Sequence, residues 1–293
     1  VYGLAGHALR EEAVEQIFAV KDRPMYNPLI IHISSQDKLA RYVTEVPSTA
    51  EKLAHHFWPG PLTLILPKTS IIPDIVTAGL PNVAMRIPDH PLTLDLLQKV
   101  DIPVAAPSAN PFGYISPTTA QHVAEQLTGK IPYILDGGPC QKGLESTIIG
   151  FEDEKPVLYR RGSITQEQVE SLLGVPVRIH AHEKSRPPGP GMLPYHYSPL
   201  KPLKISSDLR KDLQHYSTVT TGVISFQSHI EGISAGHQIT LSDTADLEEA
   251  AQRLYAALRT LDKMPVNIIL IERMPDEGLG RTMNDRIERA AAK

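Results

Sequence analysis

A single cysteine, Cys140, stands in 293 residues, which excludes an internal disulfide and any cysteine-built zinc cage. That scarcity suits a reducing compartment, and a cytoplasmic location is expected. Excess basic charge is missing too. The 29 basic and 33 acidic residues give −4, so no global positive field advertises a nucleic-acid or membrane surface. No apolar run approaches the roughly 20 residues that span a bilayer, and no secretory signal is visible. The 12 histidines include no H-E-x-x-H pair and no paired spacing with nearby carboxylates, so a dedicated metal site is not expected. No internal repeat and no long charge run divides the chain.

Proline is what abounds, with 26 residues, about twice the usual share. Seventeen fall in residues 1–174, seven in 175–203 and two in 204–293. The same cuts divide the charge as −5, +3 and −2. Residues 175–203 therefore read as an extended, semi-rigid connector between two domains.

The first domain alternates helical and strand-like patterns. Residues 10–20 carry Ala13, Val14, Ile17 and Phe18 at helical spacing. Residues 48–57 and 92–99 also read as helices. A further helix is expected from the Ser116-Pro117 start to Gly129, and another from the Thr165/Gln168 capping pair to Gly174. Strands are expected over 29–33, 62–66, 83–87, 102–106, 133–136 and 146–151. In the second domain, strands over 218–225, 238–241 and 266–271 alternate with helices over 246–261 and 284–292. The fold class is α/β: a twisted mixed-sheet domain followed by a small Rossmann-like α/β domain.

Four polar clusters could carry chemistry. Lys21 and Arg23 sit two apart on backbone that Pro24 biases toward extended geometry, so both point to one side and could clamp phosphates; the ordinary alternative is a solvated loop. Ser108 and Asn110 follow the strand over 102–106, where open α/β sheets bind ligands, or else they stabilise a turn. Glu145-Ser146-Thr147 enters a strand, and Arg160-Arg161-Gly162 ends one just before a helix. Ser146 lacks the G-x-S-x-G elbow of a hydrolase nucleophile. His32 lies in the strand over 29–33, a position most often filled by a satisfied core or edge histidine, and Arg86 lies inside the apolar strand over 83–87, where a charge must be paired or face a ligand. Gly278-Leu279-Gly280 lacks the third glycine of a dinucleotide fingerprint and reads as the turn before the last helix.

Taken together, V-Y-G-L (1–4), K-x-R-P with N-P-L-I-I-H (21–32), W-P-G-P-L-T (58–63), R-I-P-D-H-P (86–91), P-S-A-N (107–110), S-P-T (116–118), E-S-T-I-I (145–149), R-x-G-x-I (160–164) and P-G-M-x-x-x-H-Y-x-P (190–199) resemble the YrdC family in its long, two-domain form, the threonylcarbamoyl-AMP synthases. The resemblance implies synthesis of threonylcarbamoyl-AMP from L-threonine, bicarbonate and ATP, with release of pyrophosphate. Partner proteins would place the group on tRNA, with weak or no direct nucleic-acid binding by this chain and no membrane contact. It implies that Lys21 and Arg23 act in catalysis and bind the nucleotide with Ser108, Asn110, Ser116 and Arg160. Tyr2, His32, Thr63, Arg86 and Ser146 would hold threonine, and His196 and Tyr197 would belong to a lid. Mg²⁺ would be bound through the triphosphate. Two departures stand out. The family's usual strand ending T-E-T would precede Val1, and residues 192–195 read M-L-P-Y where the family carries a basic residue. The alternative within the superfamily is an RNA-binding, ribosome-maturation module, against which the −5 charge of residues 1–174 and the full second domain speak.

Overall fold

The computed structural model describes residues 1–180 and 196–292. The connector's residues 181–195, and with them most of the 190–199 motif, lie outside the described residues. The first domain contains, in chain order, β1 (Gly6–His7), α1 (Glu11–Lys21), β2 (Ile30–His32), α2 (Ser48–Phe57), β3 (Leu62–Pro67), α3 (Asp74–Thr77), β4 (Asn82–Arg86), α4 (Pro91–Val100), β5 (Val104–Ala105), α5 (Ala120–Leu127), β6 (Thr147–Glu152), β7 (Lys155–Arg160), α6 (Gln166–Leu173) and β8 (Arg178–Ile179). The strands form one mixed sheet in the order β1-β5-β2-β4-β3-β6-β7-β8. Pairing is parallel at β2/β4, β3/β6 and β7/β8 and antiparallel at the other junctions.

Strand alternation sorts the side chains onto two faces. Ile31, Leu64, Met85, Ile149 and Leu158 pack into the main core with Val14, Ile17 and Phe18 of α1, Leu53 and Ala54 of α2, and Val169 of α6. Ile30, Ile65, Ala84 and Ile148 cluster on the opposite face. Two positions along these strands lie His32, Thr63, Arg86 and Ser146, and period two carries them onto that second face as well. Arg160 joins the row because it is the register partner of Ile148.

Local signals explain several helix ends. Thr165 accepts from Gln168 N while Gln168 reaches back to Thr165 N, and Gly174 closes α6 in the left-handed region at φ 72. Three expectations need correction. No helix starts at Ser116-Pro117: α5 begins at Ala120 with Thr119 as its N-cap, accepting from His122 N at 3.2 Å. Ser116 cannot cap, because its hydroxyl donates to Glu145 Oε1 at 2.6 Å. Residues 133–136 form no strand; Tyr133 is 88% exposed and finds no pairing partner among the described residues. The last helix starts at Gly278, so Gly278-Leu279-Gly280 is its first turn rather than a turn before it.

The second domain runs β9 (Leu203–Ser206), α7 (Leu209–Leu213), β10 (Thr221–Ser225), β11 (Gln238–Thr240), α8 (Leu247–Lys263), β12 (Ile268–Glu272) and α9 (Gly278–Ala291). Its four strands are all parallel, in the order β11-β10-β12-β9. Such sheets bury both faces. Helices α8 and α9 cover Ile224, Ile269 and Ile271, while α7 packs with Val223 and Leu270 on the other side. The first sheet runs on to Ile179 and the second starts at Leu203, so both reach into the stretch read as connector.

Helix α8 presses directly on the first domain at Gly143, whose φ of +68 and lack of a side chain are both required there. A Cβ would stand 2.4 Å from Gln252 Cα. Gly143→Ala is therefore expected to lower Tm by roughly 3–10 °C, the overpacking cost of a chain this size. Differential scanning calorimetry of the variant checks this, and an unchanged Tm would show that the interface yields freely.

Candidate functional site

Lys21 ends α1 with its side chain buried, 1% exposed, and Nζ donates to Ser108 O and Asn110 O at 2.5 Å each. The last turn of α1 is thus tied to the loop after β5. Burial, then the neighbouring Arg23, pushes the Lys21 ammonium well below its ordinary range. Arg23 donates Nε to Asn27 O at 3.1 Å and a terminal nitrogen to Pro28 O at 2.8 Å. Burial and the approach of Arg160 lower it to about 9. Asn110 donates Nδ2 to Pro111 O and Tyr114 O, while its Oδ1 is buried without a bond among the described residues. Ser108 and Asn110 do meet Lys21, but not at the carboxyl end of a parallel strand. β5 runs antiparallel to β2, so the loop lies beside the segment that leads into β2.

The sheet face supplies the second half. Thr63 Oγ1 and Ser146 Oγ are 2.7 Å apart, both buried. Arg160 donates Nε to Ser146 O at 3.1 Å, and a terminal nitrogen to Ser146 O at 2.8 Å and Ser146 Oγ at 3.0 Å. Arg160 therefore touches a residue of the expected threonine set while its charge reaches Arg23 of the nucleotide set. Arg86 Nε donates to Gly60 O at 2.9 Å, and burial, offset in part by Asp89, lowers it to about 10. His32 is the register partner of Arg86; burial first, then Arg86, pushes it down to about 3.

Tyr2 and Ser116 stand apart from this row. The Tyr2 hydroxyl donates to Gly138 O at 2.7 Å or Asp136 Oδ1 at 3.0 Å and accepts from Gly137 N, which ties down the loop over 136–138. Burial and Asp136 raise it to about 12. Ser116 is committed to Glu145, as described above. Tyr197 is 1% exposed with its hydroxyl unbonded among the described residues, and its ring lies 5.0 Å from the Arg286 guanidinium carbon and 4.8 Å from that of Arg289. The His196 ring packs on Tyr197 at 4.0 Å. Burial and then Arg289 hold His196 well below its ordinary value, with Arg23 and Lys21 adding to the effect.

Sequence reasoning missed Asn27, which is fully buried with neither atom of its side-chain amide bonded among the described residues. Its place in the N-P-L-I-I-H run was the available signal. It also missed the second-domain residues that reach Glu145, for which spacing offers none. Among the described residues no group of three or more His, Cys, Asp or Glu could hold a metal ion. Nor is any helix there long and apolar enough to cross a membrane.

His32 and His196 give the site a pH signature. Both have folded pKa values below the ordinary 6.5, so the unfolded chain binds more protons as pH falls. Their contribution is full above about pH 6.5 and is lost below it, at up to about 1.4 kcal/mol per pH unit for each histidine. Thermal melts between pH 7 and 5 are expected to show a falling Tm, less steeply in His32→Gln. Equal slopes would remove His32 from this account.

Residues 1–162 match the Sua5–YciO–YrdC family model, described as "Telomere recombination", and residues 164–292 match the model of the threonylcarbamoyl-AMP synthase C-terminal domain. The chain is 41% identical to the threonylcarbamoyl-AMP synthase of Bacillus subtilis, over 99% of this chain and 87% of that protein. It is 41% identical to the enzyme of the same name from Pyrococcus abyssi, over 99% and 88%. The crystal structure of P. abyssi Sua5 complexed with L-threonine superposes with a TM-score of 0.92 at 40% identity, covering 99% of this chain and 88% of that one.

Proposed function

The chain belongs to the Sua5–YciO–YrdC family, and on that footing we propose that it joins L-threonine, bicarbonate and ATP into threonylcarbamoyl-AMP, releasing pyrophosphate. It is an enzyme, and its product serves tRNA modification. The observation that carries the finer reading is the crowding of cations. Arg23 and Arg86 both feel Arg160, and Lys21 feels Arg23, so that burial and mutual repulsion disfavour their charges together. A polyphosphate relieves that repulsion and is matched by guanidinium forks. The side-chain amide of Asn27, Asn110 Oδ1, His32 Nδ1, His196 Nδ1 and the Tyr197 hydroxyl are buried with no hydrogen-bond partner among the described residues, as suits polar groups that meet a ligand.

The chemistry needs no protein nucleophile. Threonine's amine adds to the bicarbonate carbon and water leaves with the amine proton; the resulting carbamate oxygen attacks the α-phosphate, and the bond to the β-phosphate breaks to release pyrophosphate. We assign Ser146, Thr63, Arg86 and His32 to threonine and Lys21, Arg23, Ser108, Asn110 and Arg160 to the nucleotide. Ser116, bonded to Glu145, supports the turn that presents Ser146, and Tyr2 supports the site through the loop over 136–138. Positioning and charge neutralisation on preorganised groups supply the acceleration. The site's donors are N–H and O–H groups, which suit phosphate oxygens, so Mg²⁺ fits as an ion carried by the triphosphate. When bound it would neutralise charge on the leaving pyrophosphate. Residues 1–174 carry the chemistry, His196 and Tyr197 of the connector over 175–203 cover it, and residues 204–293 form the supporting domain. The proposed compartment is the cytoplasm, where ATP and tRNA are both at hand. The test is pyrophosphate release from ATP. Release that depends on both threonine and bicarbonate supports the assignment; release indifferent to threonine overturns it.

A further inference from the structure

We propose that Arg286, in the second domain, is a positioning residue for the first domain's site: it neutralises Glu145 and so keeps Arg160 on Ser146. The inference rests on the assignment of Ser146 and Arg160 to substrate. Glu145 immediately precedes Ser146, and its carboxylate is buried, 8% exposed. It accepts from Ser116 Oγ at 2.6 Å, from the Tyr255 hydroxyl at 2.9 Å and from Arg286 Nε at 3.0 Å. Tyr255 lies on α8 and Arg286 on α9, so two of the three donors come from the other domain. Arg286 has no exposed side chain, and its second arm donates to Arg161 O at 2.6 Å, one residue beyond Arg160. One guanidinium thus grips the backbone next to Arg160 and the side chain next to Ser146.

Electrostatics shows why that grip matters. Burial raises the Glu145 pKa, but Arg286 and then Arg160 outweigh it and hold the carboxyl ionised, well below its usual range. Arg160 in turn feels the Glu145 charge. A buried carboxylate thus feels two cations. While Arg286 satisfies it, Arg160 stays on Ser146 O and Oγ. Without Arg286 the buried charge is uncompensated, and the nearest relief is for Arg160 to turn from Ser146 to Glu145. The neighbouring turn is too tight to absorb the change. A Cβ on Gly162 would stand 2.2 Å from Thr147 N, and Thr282 of α9 donates to Gly162 O at 3.1 Å.

The full chain is compared with Arg286→Met, Arg286→Lys and the double variant Glu145→Gln/Arg286→Met, each assayed well below its own Tm. Arg286→Met is expected to raise KM for threonine about 30-fold or more, the scale of a lost charged hydrogen bond. Arg286→Lys keeps the charge but not the reach to Arg161, and should fall between. The double variant removes the competing carboxylate's charge, and its KM is expected to return to within about fivefold of wild type. A role confined to stability would lower the active fraction, hence kcat, and leave KM unmoved in every variant; that result overturns the proposal. Crystals of Arg286→Met, or of Arg286→Lys if the first fails to fold, give a readout independent of activity. Arg160 turned onto Glu145 supports the inference, and Arg160 still on Ser146 overturns it. Should wild type itself show no threonine-dependent pyrophosphate release, the functional assignment fails, while the crystal result still decides what Arg286 does to Arg160.

Discussion

Arg160→Met is expected to lower kcat/KM for threonine-dependent pyrophosphate release by about 10²–10³-fold, the usual cost of removing one preorganised charge from a transition state. The size follows from its double engagement. Its guanidinium holds Ser146 at both backbone and hydroxyl, and that hydroxyl is in turn bonded to Thr63. Its charge bears on Arg23 and Arg86. Removing it loosens the threonine pocket and strips the phosphate site of a cation at the same time. Arg160→Lys should recover only part of the loss, because a single ammonium cannot reproduce the planar fork. Steady-state kinetics on both variants decides the matter. Activity within about threefold of wild type in Arg160→Met would remove the residue from the site.

Much of the site was legible because strands alternate. Arg86 stood out as a charge inside an apolar run and His32 as a polar ring inside another, and the register sets them side by side on the face opposite the helix-packed core. Lys21 with Ser108 and Asn110 was legible as chemistry but not as geometry. The rule about strand carboxyl ends presumes a parallel strand, and β5 is antiparallel to β2. Ser116 shows the opposite failure. Ser-Pro is a good local signature for a helix start, yet a buried carboxylate 29 residues away competes for the hydroxyl, and the long-range bond prevails. The grip of Arg286 on Glu145 spans 141 positions and two domains, and no periodicity encodes such a pair.

The Lys21→Met variant is expected to lose nearly all activity and also to change how nucleotide binding depends on pH. The ammonium of Lys21 satisfies two carbonyls, those of Ser108 and Asn110, and so pins the loop over 107–110 to α1. Methionine fills the space but donates nothing. The buried Asn110 O then lies unpaired, at a cost of about 1–3 kcal/mol, Ser108 O keeps only the Asn110 N–H, and the loop is free to move off the phosphate site. The electrostatic consequence is separate and more diagnostic. In the ligand-free protein burial and Arg23 push the Lys21 pKa well below its ordinary value. A bound phosphate stabilises the charged form and lifts the pKa again. Between those two values ATP binding must take up a proton, so affinity falls as pH rises through that window. Calorimetric titration of ATP at a series of pH values below about 10, the ordinary lysine range, in two buffers of different ionisation enthalpy, measures the uptake. Wild type is expected to take up a fraction of a proton that Lys21→Met does not. Equal uptake by the two proteins would place the titrating group elsewhere, and Lys21 would then be a scaffold for the loop rather than a phosphate ligand.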